Sequence, residues 1–161
     1  MDFNKEFSKY AMSDYNLSSS NMDYYKKQIE ASMTPYILEE RQLNVTQMDI
    51  FSRLLADRIL WVAGGVNDNM STVVQAQLMF LDNVSNEDIT LHIDSPGGSV
   101  KSGLSMVDVM EDIKSDIRTI NTGMAASMGS VLLGAGTKGK RSSLKHSRTM
   151  LHQSSGGFSG N

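Results

Sequence analysis

Apolar positions are sparse and aperiodic over residues 1–33, where Phe3, Phe7 and Tyr10 stand apart among Ser, Asn and charged side chains. Such a stretch offers little apolar surface to bury. It reads as a mobile N-terminal arm, with one short helix around "MDYYKKQIEASM". Pro35 marks the change to a structured domain over residues 34–161. Met48, Phe51, Leu54 and Leu55 recur at helical spacing, and "RILWVAG" then reads as a buried strand ended by Gly64-Gly65. "NMSTVVQAQLMFLDNV" predicts a helix capped by Ser71 or Asn69, with Val74, Leu78 and Leu81 on its buried face. Strand "DITLHID" breaks at Ser95-Pro96-Gly97-Gly98. The next helix, "SVKSGLSMVDVMEDIKS", carries Val100, Leu104, Val107 and Ile113 along one stripe. Strand "DIRTINT" leads through Gly-Met-Ala-Ala into a helix ending near Leu133, and "RSSLK" and "RTMLHQ" read as short strands. Strand–helix alternation of this kind predicts an α/β fold with a parallel sheet and crossover helices.

Composition narrows the classes. The chain has 161 residues, enough for one domain with a real core, and a net charge of −3 gives no electrostatic reason to expect nucleic acid or an anionic membrane. With no cysteine there is neither a disulfide framework nor a thiolate site, which fits a reducing cytoplasm. No apolar run approaches the roughly 20 residues that cross a bilayer. The 12 methionines read as gap-fillers of the core and of subunit contacts.

Three places could carry chemistry. Ser127 follows Ala125-Ala126 and starts an apolar helix, where unpaired backbone N–H groups are available to a developing anion. A serine at such a place is more often a simple cap, and the flanks do not form the G-x-S-x-G elbow. "DSPGGS", residues 94–99, is by default a tight turn, but consecutive glycines also let a backbone approach a ligand with its N–H groups outward. His152 stands at the end of an apolar run before a glycine-rich stretch. By contrast, alternation puts His92 on the opposite face of its strand from Leu91 and Ile93, and His146 lies among Lys145, Ser147 and Arg148 in a solvated loop. A fourth pattern, Gly134 to Lys140, matches G-x-x-x-x-G-K but puts Arg141 where a phosphate loop needs Ser or Thr. It also follows a helix and precedes a strand, the reverse of the required order. Lys138, Lys140 and Arg141 therefore read as a solvated loop.

Taken in order, the runs "PYILEERQL", "FSRLLADRI", "IDSPGGSV", "NTGMAASMGSVLL", "GTKGKRSSL" and "HQSSGG" resemble the Clp protease proteolytic-subunit family (ClpP), from about residue 35 onward. The resemblance implies a serine endopeptidase with Ser127 as nucleophile, His152 as general base, and the Gly98 and Met128 amides as oxyanion donors. It implies a crotonase-like spiral of ββα units. The subunits would form heptameric rings stacked in pairs, and a partner AAA+ unfoldase would deliver unfolded polypeptides to them. ATP would be used by that partner, so no cofactor or metal is expected on this chain.

The family's third catalytic residue, an aspartate well beyond the histidine, has no match, since no acidic residue follows Asp116. Asp94 stands where the family usually has Asn, and Asp108, Asp112 and Asp116 belong to a helix and its end. The chain therefore reads as a family member lacking the C-terminal part of the fold, including the long helix through which rings pair. The alternatives are a non-catalytic structural subunit or an inactive fragment. A crotonase-type acyl-CoA enzyme would need a carboxylate acid/base, which is not seen.

Overall fold

The computed structural model describes residues 44–153 and, before them, residues 36–41 and scattered positions between 6 and 20. The short helix expected around "MDYYKKQIEASM" lies outside the described residues. Tyr10 is helical, and its ring meets Phe80 with centroids 5.5 Å apart.

Strands β1 (Tyr36–Arg41) and β2 (Asn44–Asp49) pair antiparallel. Asp49 then caps α1 (Ile50–Ala56) by accepting the Ser52 amide at 2.9 Å. Met48 thus belongs to a strand, not to the expected helix, because the Asp49 cap starts the helix at Ile50. The main sheet follows: β3 (Ile59–Ala63), β4 (Ile89–Ser95), β5 (Ile117–Ala126), β6 (Arg141–Ser143) and β7 (Arg148–Met150). Neighbours run β3-β4-β5-β6, β7 also pairs with β5, and every pairing is parallel. Parallel strands need crossovers, here α2 (Asp68–Val84), α3 (Val100–Asp112) and α4 (Met128–Gly134). The expected α/β fold with a parallel sheet is the one observed.

Alternation decides which side of the sheet is the core. Leu60 and Val62 of β3, Ile89, Leu91 and Ile93 of β4, and Ile117 of β5 are buried against Val73, Val74, Leu78, Leu81, Met106 and Leu132 from the helices. Two helix readings need correction. The cap of α2 is Asn67, whose side chain accepts the Met70 amide at 3.0 Å, not Ser71 or Asn69. The Ser71 hydroxyl is instead spent on the Ser102 carbonyl of α3, at 2.7 Å. On α3, Val100 and Leu104 are exposed, and the buried face is Ser102, Gly103, Met106 and Met110. Small residues win there because the helix sits close: a Cβ on Gly103 would overlap the Met128 side chain.

The opposite face of the sheet carries Trp61 and His92, register partners on β3 and β4 whose rings stack at 4.7 Å and 13°. Burial, with the nearby Arg118 charge, pushes the His92 imidazole below its ordinary value. The fold thus favours the neutral ring. Its stabilisation is present above the unfolded value of about 6.5 and is lost as pH falls through the lower folded value. Urea unfolding followed by the single tryptophan, Trp61, should show a larger acid loss for the wild type than for His92→Phe.

At the other end of the strands, Arg58 adopts a positive φ of 61° and gathers five acceptors. Its guanidinium donates to the carbonyls of Leu81 (2.9 Å), Ser85 (3.1 Å), Glu87 (2.7 Å) and Asp88 (3.2 Å), and to Ser115 Oγ (3.1 Å). One side chain therefore ties the end of α2 to the approaches of β4 and β5. Arg58→Ala removes all five of these bonds at once, although Leu81 O keeps the Ser85 amide and Ser85 O the Ser115 hydroxyl, and should cost about 3 kcal/mol in chemical denaturation. Lys140 closes the same end by pairing with Asp88 and Asp116, each at 2.7 Å.

Candidate active site

The main sheet sends its last residues toward one place. β5 continues through Gly123-Met124-Ala125-Ala126, because β7 pairs with it there, Met124 opposite Arg148 and Ala126 opposite Met150. Ser127 then turns the chain into α4 with φ 52° and ψ −122°. A non-glycine residue held at positive φ is strained and must be over-determined by its surroundings. Here the Ser127 amide donates to the Met150 carbonyl at 3.0 Å, and its own carbonyl accepts the Ser130 amide and hydroxyl at 2.9 and 2.6 Å. The side chain makes no capping bond. It is half-buried, with its hydroxyl uncommitted among the described residues.

The Ser95–Gly98 turn comes up against this elbow. A Cβ on Gly97 would lie 2.7 Å from Ala126 O, 2.7 Å from Ser127 Cβ and 2.8 Å from Met128 N, so only glycine permits the contact. Gly129 meets Ser95 in the same way, its Cβ position 2.8 Å from the Ser95 carbonyl. The turn is fixed by Ser95 Oγ, which donates to Gly64 O at 2.6 Å and accepts the Gly97 amide at 3.1 Å. On its far side the Val66 amide donates to Gly97 O, and the Ser99 amide to Val66 O, both at 2.9 Å. The Gly97 and Ser99 amides are thus paired, whereas those of Gly98 and Met128 have no backbone acceptor among the described residues. The four residues singled out from sequence therefore fall into a group of three, Gly98, Ser127 and Met128, and one neighbour.

That neighbour is His152. β7 ends at Met150, so the histidine lies just past the strand and is exposed. Its backbone follows by two residues the carbonyl that receives the Ser127 amide. Its ring Nδ1 lies 2.5 Å from the Gln153 carbonyl, and no hydrogen bond joins it to Ser127. A carbonyl only accepts, so Nδ1 is the protonated nitrogen and Nε2 of the neutral ring keeps its lone pair.

Sequence reading missed the residues that hold this arrangement. Asn121 is fully buried, and its Nδ2 donates to Arg148 O at 2.9 Å and Thr149 Oγ1 at 3.1 Å, fastening β7 and hence the approach to His152. An amide amid strand formers in "RTINT" was the available signal, because a buried polar group must find partners. Asp94, where the family usually has Asn, accepts the Met124 amide at 2.9 Å through Oδ1, a bond that either residue type can make. The G-x-x-x-x-G-K run holds no phosphate-loop geometry: Lys140 is committed to two carboxylates and Arg141 donates to Gly134 O at 2.9 Å.

A strained serine between a parallel strand and a helix, facing a glycine turn with an unpaired amide, is an arrangement suited to acyl transfer. The Clp protease family model matches residues 41–161. Proteolytic subunits of ATP-dependent Clp protease from Bacteroides fragilis and Porphyromonas gingivalis are 52% and 50% identical over 156 residues. These alignments cover 96% of this chain and 71% and 70% of those proteins. Subunit 2 of the same protease from Bacillus licheniformis is 49% identical over 127 residues, 78% of this chain and 67% of that protein. The chain belongs to the Clp protease family. Within that family its function is that of a proteolytic subunit, a peptidase.

Proposed function

We propose that peptide hydrolysis here runs through Ser127 and His152, with the Gly98 and Met128 amides as the oxyanion hole. The observation that supports this reading is an uncommitted, strained Ser127 with the Gly97-Gly98 turn packed against it. In the reaction, Ser127 Oγ attacks the scissile carbonyl carbon while its proton passes to His152 Nε2. The carbonyl oxygen, now an oxyanion, takes hydrogen bonds from Gly98 and Met128. Collapse breaks the C–N bond, and the proton on His152 goes to the leaving amine, giving an acyl-Ser127 ester. Water then attacks the ester, its proton again taken by His152, and collapse returns that proton to Ser127 with release of the acid. The His152 ring must turn from Gln153 toward Ser127 for this, a tightening usual between free and substrate-bound sites.

The substrates are unfolded polypeptides supplied by an AAA+ unfoldase. The relatives are named ATP-dependent, and the one phosphate-loop-like run of this chain has its lysine occupied by Asp88 and Asp116. In this reading ATP is used by the partner, and the serine mechanism draws on no cofactor or metal. Exposed Val100, Leu104, Leu144, Met150 and Leu151 supply apolar surface of the kind that subunit contacts cover, in keeping with heptameric rings stacked in pairs. Among the described residues no helix is long and apolar enough to cross a membrane. We place the protein in the cytoplasm on its lack of cysteine.

A fluorophosphonate probe tests the nucleophile. It should label the protein at Ser127 and fail on Ser127→Ala; labelling that survives the substitution would overturn the assignment.

A further inference from the structure

Gly98 is gripped on one side by Val66, through the paired amides already described. The other side of the grip is made by side chains. Ser99 caps α3, its Oγ accepting the Ser102 amide at 3.2 Å. The Ser102 hydroxyl is buried, 2% exposed, and lies 2.5 Å from Asp68 Oδ1 and 2.7 Å from Ser99 Oγ. Ser102 Oγ is the donor toward both, so its single proton is shared between the Asp68 carboxylate, which only accepts, and the Ser99 hydroxyl oxygen. Asp68 opens α2 directly after its Asn67 cap, two residues beyond Val66.

These links close a ring. It runs from Val66 across the backbone bridge to Ser99, through two hydroxyls to Asp68, and back along Asn67 to Val66. Gly98 directly precedes Ser99 of this ring, at φ 150°, with the one unpaired amide of the 97–99 stretch. Ser71 and Gln75 reinforce the seam. Ser71 Oγ donates to Ser102 O at 2.7 Å, and Gln75 Nε2 donates to Ser71 Oγ at 2.8 Å.

We propose that the Asp68–Ser102–Ser99 hydrogen-bond chain is a positioning device that holds the Gly98 amide toward the reacting carbonyl. The assignment rests on the reading of Gly98 as an oxyanion donor and adds residues from α2 to the machinery. Asp68 and Ser102 touch no substrate. They act through the loop, whose Ser99 hydroxyl without them keeps only the Ser102 amide as a side-chain partner. A donor displaced by even about 1 Å loses much of its contribution to the transition state.

The test uses Ser102→Ala, Asp68→Ala and Asp68→Asn in the full chain, with two readouts. The first is amide hydrogen exchange. The exchange of the Ser99 amide, which is bonded to Val66 O, should accelerate about tenfold in both alanine variants while core amides such as Leu91 and Ile93 keep their protection. The second is fluorophosphonate labelling and peptide turnover. The alanine variants should lose about tenfold in labelling rate and kcat with KM nearly unchanged, and Asp68→Asn should recover most of the rate. Asn and Ala both lack the charge, so this contrast isolates the acceptor oxygen. Unchanged exchange and labelling in Ser102→Ala, with labelling still dependent on Ser127, overturns the tether and leaves the nucleophile standing. Labelling that does not depend on Ser127 overturns the catalytic reading itself, and exchange then reports a structural clasp only.

Discussion

Replacing Ser127 by Ala is expected to lower peptide hydrolysis by a factor on the order of 10⁴ or more, to the level left by binding and the oxyanion donors alone. The same change should leave the melting temperature nearly untouched. Three observations give the asymmetry. The Ser127 hydroxyl caps nothing, so its loss leaves no backbone donor unpaired. The elbow is held by main-chain bonds, from the Ser127 amide to Met150 O and from Ser130 to Ser127 O, which alanine keeps. Alanine also carries the same Cβ at the same positive φ, so the strain is neither relieved nor increased. A variant with intact thermal unfolding and absent turnover is thus the expected result. A large drop in stability would mean that the hydroxyl has a structural partner.

Gly98→Ala should be nearly as damaging by a different route. At φ 150° an L side chain is strained, and the added Cβ would overlap the Val66 carbonyl oxygen and lie 2.8 Å from Val66 N. Both obstacles are backbone, so the loop rather than a neighbouring side chain must move, and the Gly98 amide moves with it. Losing one oxyanion donor costs about 10²–10³ in kcat, while the strain costs about 1–3 kcal/mol of stability. Gly139→Ala separates the two effects. Gly139 also has positive φ, 86°, yet a Cβ there meets nothing within 4 Å, and its turn lies at the Lys140 end of the strands. It should destabilise modestly and leave the reaction rate alone. Rates that fall equally in both variants would show that Gly98 matters only for folding.

Much of this architecture is legible because periodicity and burial coincide. β4 alternates Ile89, Leu91 and Ile93 inward against Thr90, His92 and Asp94, so its buried face, its end at Ser95 and the opposite face of His92 follow from the pattern. The pattern fails where packing is too close for large side chains. On α3 the apolar stripe of Val100 and Leu104 points outward, while Ser102 and Gly103 face the core, since only small residues let Met128 settle against the helix. The Gly123-Met124-Ala125-Ala126 run looks like a break in β5, but tertiary pairing to β7 keeps it extended. At the site, the Gly97 turn that carries Gly98 packs against Ser127 and the Met128 amide, a contact that no pattern along the chain shows. The ring of His152 lies against the Gln153 carbonyl, a side-chain contact that strand register does not fix. Asn121 and the Ser102–Asp68 link stayed hidden, since a lone polar residue does not reveal its partner until the chain is folded.

The most direct measurement is covalent. A peptidyl chloromethyl ketone binds a serine peptidase by forming a hemiketal with the nucleophile and alkylating the histidine base, so one inhibitor reports both residues at once. Digestion and mass spectrometry of the inactivated protein should find the stable alkyl adduct on His152, and Ser127→Ala should slow its formation by orders of magnitude. An adduct on His92 or His146 instead, or alkylation of His152 at the same rate in Ser127→Ala, would contradict the meeting of these two side chains around one carbonyl.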